Sequence, residues 1–200
     1  MAEPFASKQI RILGIDPGLN HTGFGVIDVT GDSTVFVTAG CIHVPKGELS
    51  ARLGFIHEQL ARIVEETHPS QAAAEIIFLN TNPKTTLLLG QARGAALACL
   101  ASKGLRVEEF SATNIKNSIV GTGRASKLQV QSMVARLLQL NTVLQPDAAD
   151  ALACALTCAH SMKMQQLTAA TAQRPAKSAG RVHGSCRTAW EKFIQTREKP

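Results

Sequence analysis

Two hundred residues suffice for one domain with a sizeable buried core, and 44% hydrophobic with 18% charged residues is an ordinary soluble composition. No apolar run is long enough to span a bilayer, and the opening MAEPFASKQIR lacks a basic-then-apolar secretion signal, so a cytoplasmic location is expected. The net charge of +6 resides in residues 161–200, which hold 8 Lys+Arg against 2 Glu, whereas residues 1–160 balance at 13 against 13.

Ile10–Asp16 is a β-type run stopped by Pro17-Gly18, and Gly23–Val29 and Thr34–Val44 follow as further strands around the turn residues Gly31-Asp32. Such short connections predict a three-strand antiparallel meander. Apolar residues at 49, 53, 56, 60, 63 and 64 recur with helical spacing across Leu49–Glu66. Ala72–Leu79 reads as a buried strand holding one acid, Glu75. Helical spacing resumes over Thr85–Ala101, where Gly90 and Gly94 mark close approach to another backbone, with a partner subunit as one possibility. Leu105–Phe110 is a fifth strand, and helices are expected near 112–119, 126–140 and 147–165. A meander followed by α/β alternation implies an α/β fold, with a mixed five-stranded sheet flanked by helices. A domain over 1–165 and a basic, disordered tail over 166–200 complete the expected organisation.

The five cysteines are scattered, and Cys154 and Cys158 read as small packing residues rather than zinc ligands. The carboxylates are more informative. A buried strand excludes unpaired acids, yet Asp16 ends one apolar strand and Glu75 interrupts another. Asp147 and Asp150 share one face at the start of the last helix, behind Pro146. Taken alone, Asp147 reads more simply as a helix cap and Asp150 as a charge favoured by the helix dipole. Gathered together, the four would repel one another unless a cation sat between them, and hard oxygen donors select Mg²⁺ or Mn²⁺. Two such ions roughly 4 Å apart serve phosphodiester hydrolysis. The stretch 110–146 contains no acid but holds Lys116, Arg124, Lys127 and Arg136, so it and the tail are the candidates for gripping phosphates.

Four segments carry a resemblance: ILGIDPGLNHTGFGVID (12–28), FLNTNPKTTLLLGQARG (78–94), GTGRASKLQVQSMVARLL (121–138) and QPDAADALACAL (145–156). In this order and spacing they resemble the RuvC family of Holliday-junction resolvases, over roughly residues 10–160. The resemblance implies a ribonuclease-H-like fold and an endonuclease that resolves four-way DNA junctions in recombination and repair, leaving 5′-phosphate ends. It implies Asp16, Glu75, Asp147 and Asp150 as catalytic metal ligands, and two Mg²⁺ (or Mn²⁺) per site. Phe78 matches an aromatic used against junction bases, although it also reads as a core residue of an apolar strand. Lys116 and Lys127 match lysines near the scissile phosphate, and Arg124 lies in the same Gly-rich loop. Arg93 falls in a matched motif, with a structural ion pair an equal reading. A homodimer matching the two-fold junction, and work alongside the RuvA–RuvB branch-migration complex, are also implied. The chain departs from the family at Ile76, where a Gln usually follows the second acid. Other readings are a ribonuclease-H-like nuclease with another substrate and a catalytically silent junction-binding protein. An ATPase of the actin and sugar-kinase type, which shares the strand-Asp-Gly opening, needs a longer chain.

Overall fold

The computed structural model describes residues 9–76, 82–142 and 144–172. Its elements run β1 (Ile10–Asp16), β2 (His21–Thr30), β3 (Ser33–His43), α1 (Leu49–Thr67), β4 (Gln71–Glu75), α2 (Pro83–Ser102), β5 (Val107–Phe110), α3 (Ala112–Val120), α4 (Lys127–Leu137) and α5 (Pro146–Ala172). The five strands form one sheet in the order β3-β2-β1-β4-β5. The meander pairs are antiparallel, and β4 and β5 join parallel beyond β1, as helical crossovers require. None of the described helices is long and apolar enough to cross a membrane.

Period-2 alternation divides the core into two layers. Leu13, Ile15, Val26, Ala72 and Ala74 face α1 and α2, packing with Ile56, Leu60, Ala92, Ala96 and Leu100. Ile12, Ile27 and Ala73 face the opposite way, toward α3, α4 and α5, packing with Ile115, Val134, Leu152 and Leu156. Every residue of α5 from Ala151 to Ala159 is buried. A helix apolar all round is one sunk into a core rather than laid on a surface. Cys154 and Cys158 are among these packing residues, with free thiols.

Four expected boundaries move. The strand around Glu75 ends at that residue, and 77–81 lie outside the described residues. The fifth strand begins at Val107, two residues late, because Leu105 still bonds back to the Leu100 carbonyl in closing α2. The helix expected to reach 140 ends at Leu137, and Gln139 takes φ 53 in the following turn. The last helix continues past 165 to Ala172, since Leu167, Ala169, Ala170 and Ala172 favour helix in the stretch that composition alone assigned to a tail. Of the described residues, those to Met164 belong to one compact unit and 165–172 to a second.

Candidate active site

The site begins with side-chain parity. On β1, Ile12 faces α5, so Gly14 and Asp16 do too; on β4, Ala73 and then Glu75 share that face. The two strands are parallel neighbours, in register at Ile15 and Ala74, which brings Asp16 beside Glu75 at the C-terminal edge. Glycines admit the helix that supplies the remaining acids. A Cβ at Gly14 would collide with the Ala151 carbonyl oxygen, and one at Gly23, opposite Asp16, with the Asp147 carbonyl oxygen. The sheet is notched at these positions, so the first turns of α5 lie directly on its backbone, carrying Asp147 and Asp150 over Asp16.

One carboxylate oxygen each from Asp16, Asp147 and Asp150 falls within 4.8 Å of the others. Glu75 lines the two cavities that flank them. A cavity of about 440 Å³ is bounded by Asp16, Gly18, His21, Glu75, Ile76 and Asp147, and one of about 260 Å³ by Glu75, Ile115, Lys116, Lys127 and Asp150. Burial first, then the charges of Asp150, Glu75 and Asp147, push the Asp16 carboxyl up to about 7. Burial and Asp150 likewise raise Glu75, against the opposing pull of Lys127 and Lys116. Lys127 opens α4 and places Nζ 2.6 Å from Asp150 Oδ2, an ion pair that raises the lysine's own pKa.

Burial and mutual repulsion together raise the proton affinity of Asp16 and Glu75, the cost of gathering carboxylates at one edge of the sheet. Among the described residues, Lys116 and Lys127 stand against them from one side. A divalent cation fits this donor set: it is hard, coordinates carboxylate oxygen, and relieves the repulsion.

The basic residues divide. Lys116, on α3, and Lys127 wall the smaller cavity, whereas Arg124 is exposed in the turn between α3 and α4. That turn is fixed by a capping box, in which Ser126 accepts from the Gln129 backbone and the Gln129 side chain accepts from the Ser126 N–H. Arg93, open to two readings in the sequence, ion-pairs with Glu109 and donates from Nε to the Glu75 carbonyl at 3.3 Å. It thus anchors the strand end that presents Glu75. Ile76 is 37% exposed, with its backbone N–H on the Phe110 carbonyl. Phe78 lies outside the described residues.

Two residues at the edge of the site were not anticipated. Cys41 donates to Asp147 Oδ2 at 3.5 Å, and burial, with Asp147 next, pushes its thiol up to about 11. His21 lines the larger cavity. The sequence signal for both was the pairing of β2 with β3, whose register is not visible from composition.

The profile of the family described as Crossover junction endodeoxyribonuclease RuvC matches residues 12–158. A Bordetella avium protein named Crossover junction endodeoxyribonuclease RuvC is 54% identical over 158 residues, spanning 78% of this chain and 87% of that protein. A Burkholderia cenocepacia protein of the same name is 54% identical over 151 residues, 76% of this chain and 84% of its own length. Thermus thermophilus RuvC in complex with Holliday junction substrate superposes with a TM-score of 0.74 at 30% identity, covering 78% of this chain and 96% of that one. The yeast mitochondrial Holliday junction resolvase Ydc2 shares the fold, with a TM-score of 0.59 at 14% identity over 84% of this chain and 88% of that one. A profile match across most of the chain, close relatives along nearly their whole length and the same architecture agree: the chain belongs to the RuvC family of crossover junction endodeoxyribonucleases.

Proposed function

We propose that this protein resolves four-way DNA junctions by paired, metal-dependent phosphodiester hydrolysis in recombination and repair. The observation that carries the reading is the convergence of Asp16, Asp147 and Asp150 within 4.8 Å, beside a Glu75-lined cavity whose far wall is Lys116 and Lys127. Acids for cations and bases for phosphates thus meet at one edge of the sheet.

In this reading Asp16, Glu75, Asp147 and Asp150 hold two Mg²⁺, or Mn²⁺ in their place. Such a pair supplies the Lewis acidity that makes a water nucleophilic and stabilises the departing 3′ oxygen, leaving a 5′ phosphate. Asp16, whose carboxyl is raised by burial and by the charges of all three other acids, is the ligand whose loss matters most. Lys127, paired with Asp150 at the mouth of the cavity, would hold that carboxylate in place toward a cation and offer its ammonium to the phosphate. Lys116, on the same cavity wall, offsets charge building on the non-bridging oxygens. Arg124 meets the backbone farther out, and Phe78 stacks on junction bases. The basic segment 166–200 adds sequence-independent attraction.

A junction presents two equivalent strands, so a two-fold homodimer matches it. Support comes from α2, where no described residue lies within 4 Å of a Cβ built on Gly90 or Gly94 and Leu87 is 64% exposed. The RuvA–RuvB branch-migration complex is the partner, and the cytoplasm the location. Comparing cleavage of a four-way junction, a linear duplex and an RNA–DNA hybrid at equal concentration tests the substrate. Junction cleavage well above the other two is expected; preferential cutting of the hybrid would replace resolvase by another ribonuclease-H-like activity.

A further inference from the structure

His21 begins β2 and His43 ends β3, and the two are direct cross-strand partners. Their Nδ1 atoms lie 3.0 Å apart, with the rings edge to face at a centroid distance of 5.0 Å. Cys41, two residues before His43, stands opposite Gly23 and therefore on the same face. A β-bulge creates this arrangement. The register slips by one residue between Val26 and Ile27, where Val26 pairs with Thr38 but Ile27 with Phe36. Continued without the slip, the pairing would set Ile42 against His21 and turn Cys41 and His43 to the other side.

One donor atom from each of His21, Cys41 and His43 lies within 4.8 Å of the others, with both imidazoles exposed and the thiol half-buried. Two imidazole nitrogens and a sulfur suit a borderline d-block dication and are poor ligands for Mg²⁺. Around tetrahedral zinc, neighbouring ligand atoms stand roughly 3.3–3.6 Å apart given the usual bond lengths. The Nδ1 pair at 3.0 Å needs to open by only a few tenths. The Cys41 Sγ to Asp147 Oδ2 spacing, 3.5 Å, already has the separation of two ligands on one ion.

We propose that His21, Cys41 and His43 form a second metal site, selective for Zn²⁺-like dications, that recruits Asp147 as its fourth ligand and thereby withdraws it from the catalytic carboxylates. Filling the site inhibits cleavage at saturating Mg²⁺. Binding forms a sulfur–metal bond, the thiol proton passes to solvent, and no oxidation state changes. The inhibitory consequence rests on the nuclease reading above; the binding does not.

The test uses full-length protein in excess Mg²⁺, titrated with Co²⁺ as a coloured stand-in for Zn²⁺. The expected result is a thiolate-to-cobalt charge-transfer band that saturates at a single ion per chain and is absent from Cys41→Ser. His43→Gln, which leaves the four acids in place, should bind Co²⁺ more weakly by at least the roughly 10–100-fold that losing even an outer-shell partner costs. In the cleavage assay His43→Gln should match wild type in Mg²⁺ alone and require correspondingly more Zn²⁺ for inhibition. No band in wild type, a band that persists in Cys41→Ser, or equal zinc sensitivity of His43→Gln would overturn the proposal. A Cys41-dependent band in a protein that cuts no junction would uphold the site and defeat the nuclease reading instead.

Discussion

Replacing Asp16 by Asn should stabilise the metal-free protein, an inversion of what removing a buried site residue usually does. The Asp16 carboxyl is carried from an ordinary 3.8 to about 7, by burial first and then by Asp150, Glu75 and Asp147. An acid whose pKa is raised by folding keeps its proton in the native state after the unfolded chain has lost it. Its contribution to stability therefore falls as pH rises from about 4 to 7, by about 1.4 kcal/mol per pH unit, and is constant above. The full cost is on the order of 4 kcal/mol, and spreading of the carboxylates and entry of water bring the observable part to about 2–4 kcal/mol. Asn carries no charge and escapes this cost. In EDTA at pH 8 the variant should melt higher by roughly 4–16 °C, given about 2–4 °C per kcal/mol for a domain of this size. The gap should shrink toward zero near pH 4. Mg²⁺ should also close it, by stabilising wild type through ligation more than a variant lacking a ligand. Thermal melts of both proteins across pH, with EDTA or Mg²⁺, make the comparison. A variant that is less stable than wild type in EDTA at pH 8, or a gap that does not change with pH, would refute the reasoning.

Three further outcomes follow from the packing. Arg11 bonds Asp28 through Nε and Nη2, both at 2.7 Å, and the Thr67 carbonyl through Nη1, so Asp28→Asn should cost about 1–2 kcal/mol at pH 7 in urea melts. Arg11 holds the Asp28 carboxyl below its usual 3.8, so that stabilisation is complete above the usual value and is lost as pH falls beneath it, where the variant and wild type should converge. Gly23→Ala drives a methyl into the Asp147 carbonyl, so it should cost about 1–3 kcal/mol and, by lifting the start of α5, weaken Mg²⁺ binding measured by calorimetry. Ser126→Ala removes the cap of α4 and should cost about 1 kcal/mol, with faster amide exchange at Gln129, whose N–H the hydroxyl accepts.

Much of this was legible in the chain because it violates an expectation. Asp16 and Glu75 stand out as acids in apolar strands, and α/β alternation after a meander leaves little choice of sheet order. The notch at Gly14 and Gly23 was not legible, because its cause is a helix about 130 residues downstream whose backbone occupies the missing Cβ positions. Nor was the grouping of His21, Cys41 and His43, which depends on a one-residue slip that hydrophobic pattern does not encode. The end of the last helix was misplaced because Gln, Thr and Ala look like linker by composition, while alanine also prolongs a helix already nucleated. Arg93 could be assigned to an ion pair only once β5 brought Glu109 beside α2.

The central claim, that the four carboxylates make this chain a metal-dependent junction nuclease, meets its most direct test on a synthetic mobile four-way junction. Wild type and Asp16→Asn would be incubated with it, with and without Mg²⁺. Paired, symmetric nicks that require the metal and vanish in the variant, while junction binding survives, are the predicted result. Tight binding with no nicks under any divalent ion, or nicking that persists in the variant, would contradict it.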